Sequence, residues 1–228
     1  MQALAADLRV STSTIRRDLD ALSQDGLLRR VRGGGSRVEP DAMGFREVSH
    51  QASAEKEAIA IRAAALVPER SVVVDIGTTT ARFAHHLRGR RLTVITSSLA
   101  VVDELRDEDQ IELIVLGGVL RTNYLSLVGM LTEQALGQLR ANLCFVSGSG
   151  IRADGSVMDT TGIEVPVKRA MLAAAERTIL LADRTKFPGT GLLPVCGPDR
   201  IAVLVTDQGA DPATLGTFHA AGTEVITV

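Results

Sequence analysis

The segment "DIGTTT", residues 75–80, sets a carboxylate, a glycine and three hydroxyls directly behind the apolar run "SVVV". A glycine there lets a ligand approach the backbone, and the threonines that follow offer hydroxyls and N–H groups at the start of a helix. Gly77, Thr78, Thr79 and Thr80 are therefore candidates to hold a compact phosphate; the plainer alternative is a helix cap behind a strand. Companion groups recur after other apolar runs: the hydroxyls of "TSS" (Thr96, Ser97, Ser98), bare backbone at 117–118, and "GSG" with Gly148 and Gly150. A phosphate also favours a cation, and the chain has only three lysines, Lys56, Lys168 and Lys186. Lys168 stands one helical turn after Glu164 in "IEVPVKRAM", and Lys186 follows the apolar "LLAD" in "DRTKF". Each lysine is equally compatible with a solvated salt bridge. Glu164, Asp75 and Asp183 can serve as hydroxyl acceptors or as a general base, so binding and proton transfer both stay open at this point.

Other chemistries are excluded or unsupported. No GxxxxGK[ST] occurs and "GSG" does not extend to GxGxxG, which removes the Walker-type loop and the dinucleotide fingerprint. The histidines (His50, His85, His86, His219) are scattered, and the neighbours His85 and His86 point to different sides of one helix, so no metal and no cofactor is expected. Cys144 and Cys196 lie far apart in apolar surroundings and read as buried reduced thiols.

The elements that position these groups follow from hydrophobic period. From Glu55 onward, helices at 55–66, 79–88, 98–106, 129–140, 161–176 and 211–220 alternate with strands at 71–75, 92–96, 111–116, 142–147, 177–182, 201–206 and 223–228. Short β-rich runs between amphipathic helices predict a mostly parallel α/β sheet covered on both faces. In such sheets ligands bind outside the C-terminal strand ends, where all the candidate groups fall.

The start of the chain has a different character. Residues 1–37 carry seven arginines against four aspartates, a surplus of +3 that leaves the remainder at −5 in a chain of net charge −2. A basic module joined to an acidic one points to a polyanion partner for the first only. A helix is expected over residues 2–8, then a turn, then a second helix capped by Ser11 and running to Leu22. On a helical wheel Ile15, Leu19 and Leu22 fall within roughly 60°, a stripe suited to packing on Leu4, Leu8 and Val10. Ser13 and Arg17 point away, flanked by Thr14 and Arg16, the groups that read base edges and grip phosphates in a major groove. "LLRRVRGGG" reads as a two-stranded ribbon whose Arg29, Arg30 and Arg32 reach flanking backbone. Residues 38–54 are irregular and read as a linker.

"LAADLRVSTSTIRRDLDALSQDGLLRRVRGGG" closely resembles the winged helix-turn-helix of DeoR-family transcription regulators, with Arg32 where the family often has His. "EKEAIA", "DIGTTT", "TSSLAV", "LGGVLR…LSLVG", "E…VKRAM" and "DRTKF" resemble that family's C-terminal sensor domain. The resemblance implies a winged helix-turn-helix over 1–37, truncated because the family's first helix would precede Met1, and a Rossmann-like effector-binding domain over 55–228. Its fold is similar to ribose-5-phosphate isomerases and CoA transferases. It implies operator contacts by Ser11, Thr12, Ser13, Thr14, Arg16 and Arg17, phosphate held at Gly77–Thr80, and a sugar side lined by Asp75, Thr96, Ser97, Glu164, Lys168, Asp183 and Lys186. Ser97 stands where the family often has Asn, and Pro166 introduces an expected kink at the start of the helix carrying Lys168. The expected protein is a cytoplasmic, non-membrane DNA-binding regulator, a repressor of carbohydrate genes in a homodimer or homotetramer, with operator DNA and a phosphorylated sugar or polyol as partners. The competing expectation is a sugar-phosphate isomerase on the same fold.

Overall fold

The computed structural model of the chain describes residues 5, 8, 10–24, 28–31, 34–37, 44–68 and 70–228. Helix α1 spans Thr12–Gln24. The Ser11 hydroxyl caps it by accepting the Thr14 N–H at 3.1 Å. Its apolar stripe buries Ile15 and Leu19 against Ala5. Leu8 and Val10, expected beneath that stripe, are exposed instead. The chain turns so that the Val10 N–H meets the Ala5 carbonyl at 3.0 Å, and Ala5 takes their place. Leu4 and most of the expected 2–8 helix lie outside the described residues. The expected ribbon forms as β1 (Leu28–Val31) antiparallel to β2 (Gly34–Arg37).

Part of the stretch read as a linker is helical. α2 (Phe45–His50) is only six residues long, too short to stand on propensity alone. Tertiary bonds hold it: the Phe45 N–H donates to the Asn123 carbonyl at 2.8 Å, and the Lys56 ammonium donates to the Val48 carbonyl at 2.7 Å. Lys56 belongs to α3 (Ser53–Ala64), which starts two residues before its expected position.

The chain then runs β3 (Ser71–Val74), α4 (Thr78–His85), β4 (Leu92–Thr96), α5 (Leu99–Leu105) and β5 (Ile111–Val115). A hairpin follows, β6 (Val119–Arg121) and β7 (Ser126–Val128), leading to α6 (Met130–Gly137) and β8 (Ala141–Val146). Next come β9 (Gly150–Ile151), β10 (Val157–Asp159), α7 (Val165–Ala173), β11 (Ala175–Leu181), β12 (Leu193–Cys196), β13 (Val203–Thr206), α8 (Pro212–Ala220) and β14 (Glu224–Thr227). Seven strands form one parallel sheet in the order β14-β13-β11-β8-β3-β4-β5. The order records the path: outward from β3 to β5, then back across to β8 and outward to β14. The switch point lies between β3 and β8.

Period-2 alternation divides the core between the two faces. Val73, Cys144, Leu180 and Leu204 face one side, packed with Leu136, Val167, Met171 and Phe218 from α6, α7 and α8. Val72, Val74, Phe145, Leu181 and Val205 face the other, packed with Ile59, Phe83, Val101 and Leu105 from α3, α4 and α5. Phe83 stacks on Phe145 with centroids 4.1 Å apart; truncating such a buried ring to alanine costs about 3–5 kcal/mol.

Three short features depart from the expected pattern. The β6–β7 hairpin and the antiparallel sheet β12-β10-β9 consist of strands too short, and too interrupted by glycine and proline, to declare a period. α7 begins at Val165, with Pro166 in its first turn. There an N–H has no helical partner to lose, so the expected kink does not arise. Both cysteines are free thiols, and burial pushes that of Cys196 up to about 11. Among the described residues no helix is long and apolar enough to cross a membrane.

Candidate ligand cleft and nucleic-acid face

The turns that leave β3 and β8 face each other at the switch point and form the base of a cleft of about 180 Å³. Ile76 and Gly77 come from the first turn, and Ser147, Gly148 and Ser149 from the second. The two are stitched together: the Ser147 N–H donates to Asp75 Oδ2 at 3.0 Å, and the Ser147 hydroxyl donates to the Ile76 carbonyl at 3.1 Å. Gly77 adopts φ +142°, and a Cβ there would lie 2.6 Å from Ser147 Oγ. It precedes α4, whose first turn has no side-chain cap, leaving backbone amides as donors beside the cleft. The remaining walls come from α2 (Val48, Gln51), Tyr124, Asp159, Thr160, Thr161, Glu164, Lys168, Lys186 and Thr190.

Lys168 organises the floor. Its ammonium pairs with Asp75, donates to the Ser147 carbonyl at 2.9 Å and lies 3.7 Å from Asp159 Oδ2. Two of these contacts are hydrogen bonds and the third is an ion pair beyond hydrogen-bond reach, so the lysine's charge is met from within. Burial works to lower its pKa, but Asp75, Asp159 and Glu164 outweigh it and push the pKa up. Lys168 is 3% exposed and Asp75 is fully buried. Removing either partner would strand a charge, at a cost of about 3–5 kcal/mol. Asp75 Oδ1 and Ser97 Oγ remain without hydrogen-bond partners among the described residues.

Glu164, at the N-cap of α7, pairs with Arg121 of β6 and accepts the Ser126 hydroxyl at 3.0 Å. Burial raises its pKa, while Lys168 and Arg121 act to hold it down. The Arg121 guanidinium lies 5.9 Å from the Tyr124 ring centroid, and Tyr124 meets Phe45 edge to face at 6.5 Å. Burial, then Glu164, pushes the Tyr124 phenol up to about 12.

Lys186 differs from Lys168. It ends a short 3-10 turn, Arg184–Lys186, lines the cleft, and its ammonium has no hydrogen-bond or ion-pair partner among the described residues. Asp183, which caps that turn through the Thr185 N–H at 3.0 Å, is buried outside the lining, with Oδ2 unpartnered among the described residues.

The other sequence-derived candidates have varied places. Thr80 donates its hydroxyl to the Gly77 carbonyl at 3.0 Å, and Thr78 lines a separate hollow near Arg82 and Glu104. Thr79 is buried in the same first turn. From that turn Ile76 and Gly77 line the cleft, and the three threonines are not among its lining residues. Thr96 is spent on the Val74 carbonyl at 2.8 Å and the Ser98 N–H at 3.0 Å. Gly148 lines the cleft, whereas Gly150 is buried in β9, where a Cβ would stand 2.3 Å from the Thr190 carbonyl. Sequence reasoning missed Ser147, Ser149, Asp159, Thr160, Thr161, Tyr124, Thr190, Val48 and Gln51. Ser147 precedes the "GSG" already singled out and Ser149 is its middle residue, and Tyr124 is the chain's one tyrosine; the others carried no signal. Among the described residues no cluster of His, Cys, Asp or Glu is gathered as a metal-ligating group.

On α1, Ser11, Thr12, Ser13, Arg16 and Arg17 are exposed and Thr14 half-buried, opposite Ile15 and Leu19. Ser11 bonds the hydroxyls of Ser13 and Thr14 at 2.7 and 2.8 Å. Arg29 and Arg30 sit on β1; Arg32 lies outside the described residues.

Residues 1–40 match the DeoR-like helix-turn-helix domain, and residues 51–208 match the DeoR C terminal sensor domain. A helix-turn-helix followed by a sensor domain defines a DNA-binding transcriptional regulator. The chain belongs to the DeoR family. It is 34% identical over 226 residues to the HTH-type transcriptional regulator GolR of Listeria innocua, covering 97% of this chain and 89% of that one. It is 35% identical over 189 residues to the glycerol-3-phosphate regulon repressor of Haemophilus influenzae, covering 82% and 74%. Among solved structures, ribose 5-phosphate isomerase A from Methanocaldococcus jannaschii overlaps with TM-score 0.42 at 15% identity, over 57% of this chain and about half, 52%, of that one.

Proposed function

We propose that this regulator is a repressor of carbohydrate genes that binds operator DNA through α1 and the β1–β2 ribbon, and that the cleft senses a phosphorylated sugar or polyol without turning it over. The observation that carries the sensing role is Lys186, an unpaired cation among the described residues that lines the same cleft as Ile76, Gly77 and the turn at 147–149. Lys186 and the start of α4 take the phosphate, and Asp159 with Glu164 accepts hydroxyls from the polyol end. A cleft this small suits a compact metabolite. The relative named as a glycerol-3-phosphate regulon repressor supports an effector of this class. Two of the carboxylates that an isomerase could use as a base are engaged, Asp75 by Lys168 and Glu164 by Arg121 and Ser126, and the third, Asp183, is buried outside the cleft lining. A second copy of the chain completes operator binding in a symmetric homodimer or homotetramer.

A thermal-shift series with phosphorylated sugars and polyols and their dephosphorylated counterparts tests this. At least one phosphorylated compound is expected to raise the Tm, its counterpart far less, and Lys186→Ala is expected to remove the difference while the compound is recovered unchanged. Equal shifts from both members of every pair would defeat the phosphate assignment, and turnover would defeat the sensor reading.

A further inference from the structure

The wing ends at Arg37 and the sensor fold takes up the chain again at Gly44 and α2. This is the covalent path between DNA-reading and ligand-sensing parts, and it is gripped by the β6–β7 hairpin. The Phe45 N–H donates to the Asn123 carbonyl at 2.8 Å. That carbonyl also sits 3.4 Å from where a Cβ on Gly44 would be. Tyr124, the next residue in the hairpin turn, packs its edge on Phe45 and lies beside Arg121, whose guanidinium is paired with Glu164 in the cleft.

We propose that the β6–β7 hairpin transmits occupancy of the cleft to the DNA-binding part, with Glu164 as its input and Phe45 as its output. Arg121 and Tyr124 are positioning residues that act through α2. The inference rests on the cleft being a ligand site. A polyol hydroxyl that takes the Glu164 carboxylate competes with Arg121. Releasing Arg121 alters the support under Tyr124, and Tyr124 is the side chain that seats Phe45. Val48 and Gln51, on the other end of the same helix, already line the cleft, so the bound ligand and the hairpin act on one short element. α2 is suited to yield because it is six residues long, too short to be stable without its tertiary contacts.

The coupling is testable without knowing the ligand, by hydrogen exchange on the full chain. Glu164→Gln and Arg121→Gln both break the input pair, and Tyr124→Ala breaks the output contact. Each is expected to speed exchange in residues 45–51 by roughly three- to tenfold, the effect of losing one aromatic or ion-pair contact. Exchange in β13 and β14, remote from the hairpin, should stay as in the wild-type chain. Tyr124→Phe keeps the ring contacts and should retain wild-type exchange, which separates the ring from the phenol hydroxyl as the transmitting group. Unchanged exchange at 45–51 in Arg121→Gln and Tyr124→Ala overturns the proposal, as does an equal rise throughout the sensor fold. Failure here leaves the thermal-shift result with phosphorylated ligands untouched, so the two readings fail separately.

Discussion

Lys56 and Lys168 are both buried in the sensor domain, yet their surroundings push them in opposite directions. Lys168 faces three carboxylates and keeps its proton. Lys56 is desolvated first of all, with Asp183 opposing that effect and Lys186 adding to it, and its pKa falls to about 8. In the unfolded chain the value returns to the ordinary 10.5. Between these two values the unfolded state binds more protons than the folded one, so stability rises with pH across the window. Chemical denaturation of the wild-type chain and of Lys56→Met at pH 8, 9 and 10 should show the wild type gaining stability relative to the variant. A constant difference would mean that Lys56 keeps a normal pKa. None of this distinction was legible in the sequence, where three lysines looked alike. Which of them is held charged depends on carboxylates brought together from residues 75, 159 and 164.

At the scale of elements, the seven strands and six covering helices of the sensor domain were readable because the strands are β-rich apolar runs and the helices carry a helical period. The hairpin and the small antiparallel sheet were not: β6, β7, β9 and β10 are two or three residues long, and the four of β12 include Pro194, so no apolar run marks them. Those short elements supply Tyr124 and Asp159, which explains why the cleft was only half anticipated. The turn after β3 was anticipated, and it meets the cleft through Ile76 and Gly77. Gly77 is the hinge of that arrangement. Gly77→Ala is expected to cost about 1–3 kcal/mol, the range for a residue forced into a sparsely populated backbone region. Its methyl would also displace the Ser147 hydroxyl from the Ile76 carbonyl. Urea denaturation should register the loss, and ligand-induced stabilisation should disappear even at temperatures where the variant remains folded.

For the whole molecule, the basic start and acidic remainder visible in the charge distribution correspond to two family domains. Arg17→Ala is expected to weaken binding to duplexes enriched from a random pool by the wild-type chain, by about 1–3 kcal/mol, and to leave the ligand-induced Tm shift unchanged. Undiminished sequence-selective binding would remove α1 from the reading role. The switch point between β3 and β8 has a further consequence for how the chain is made. The cleft draws on residues from Val48 to Thr190, and neither half of the sheet contains it alone. Synthesis runs from the N-terminus, so α1 and the ribbon are complete long before the cleft can close. A nascent chain, or one cut between β5 and β8, carries every arginine of the basic start and lacks Ser147, Asp159, Glu164, Lys168 and Lys186 of the cleft lining.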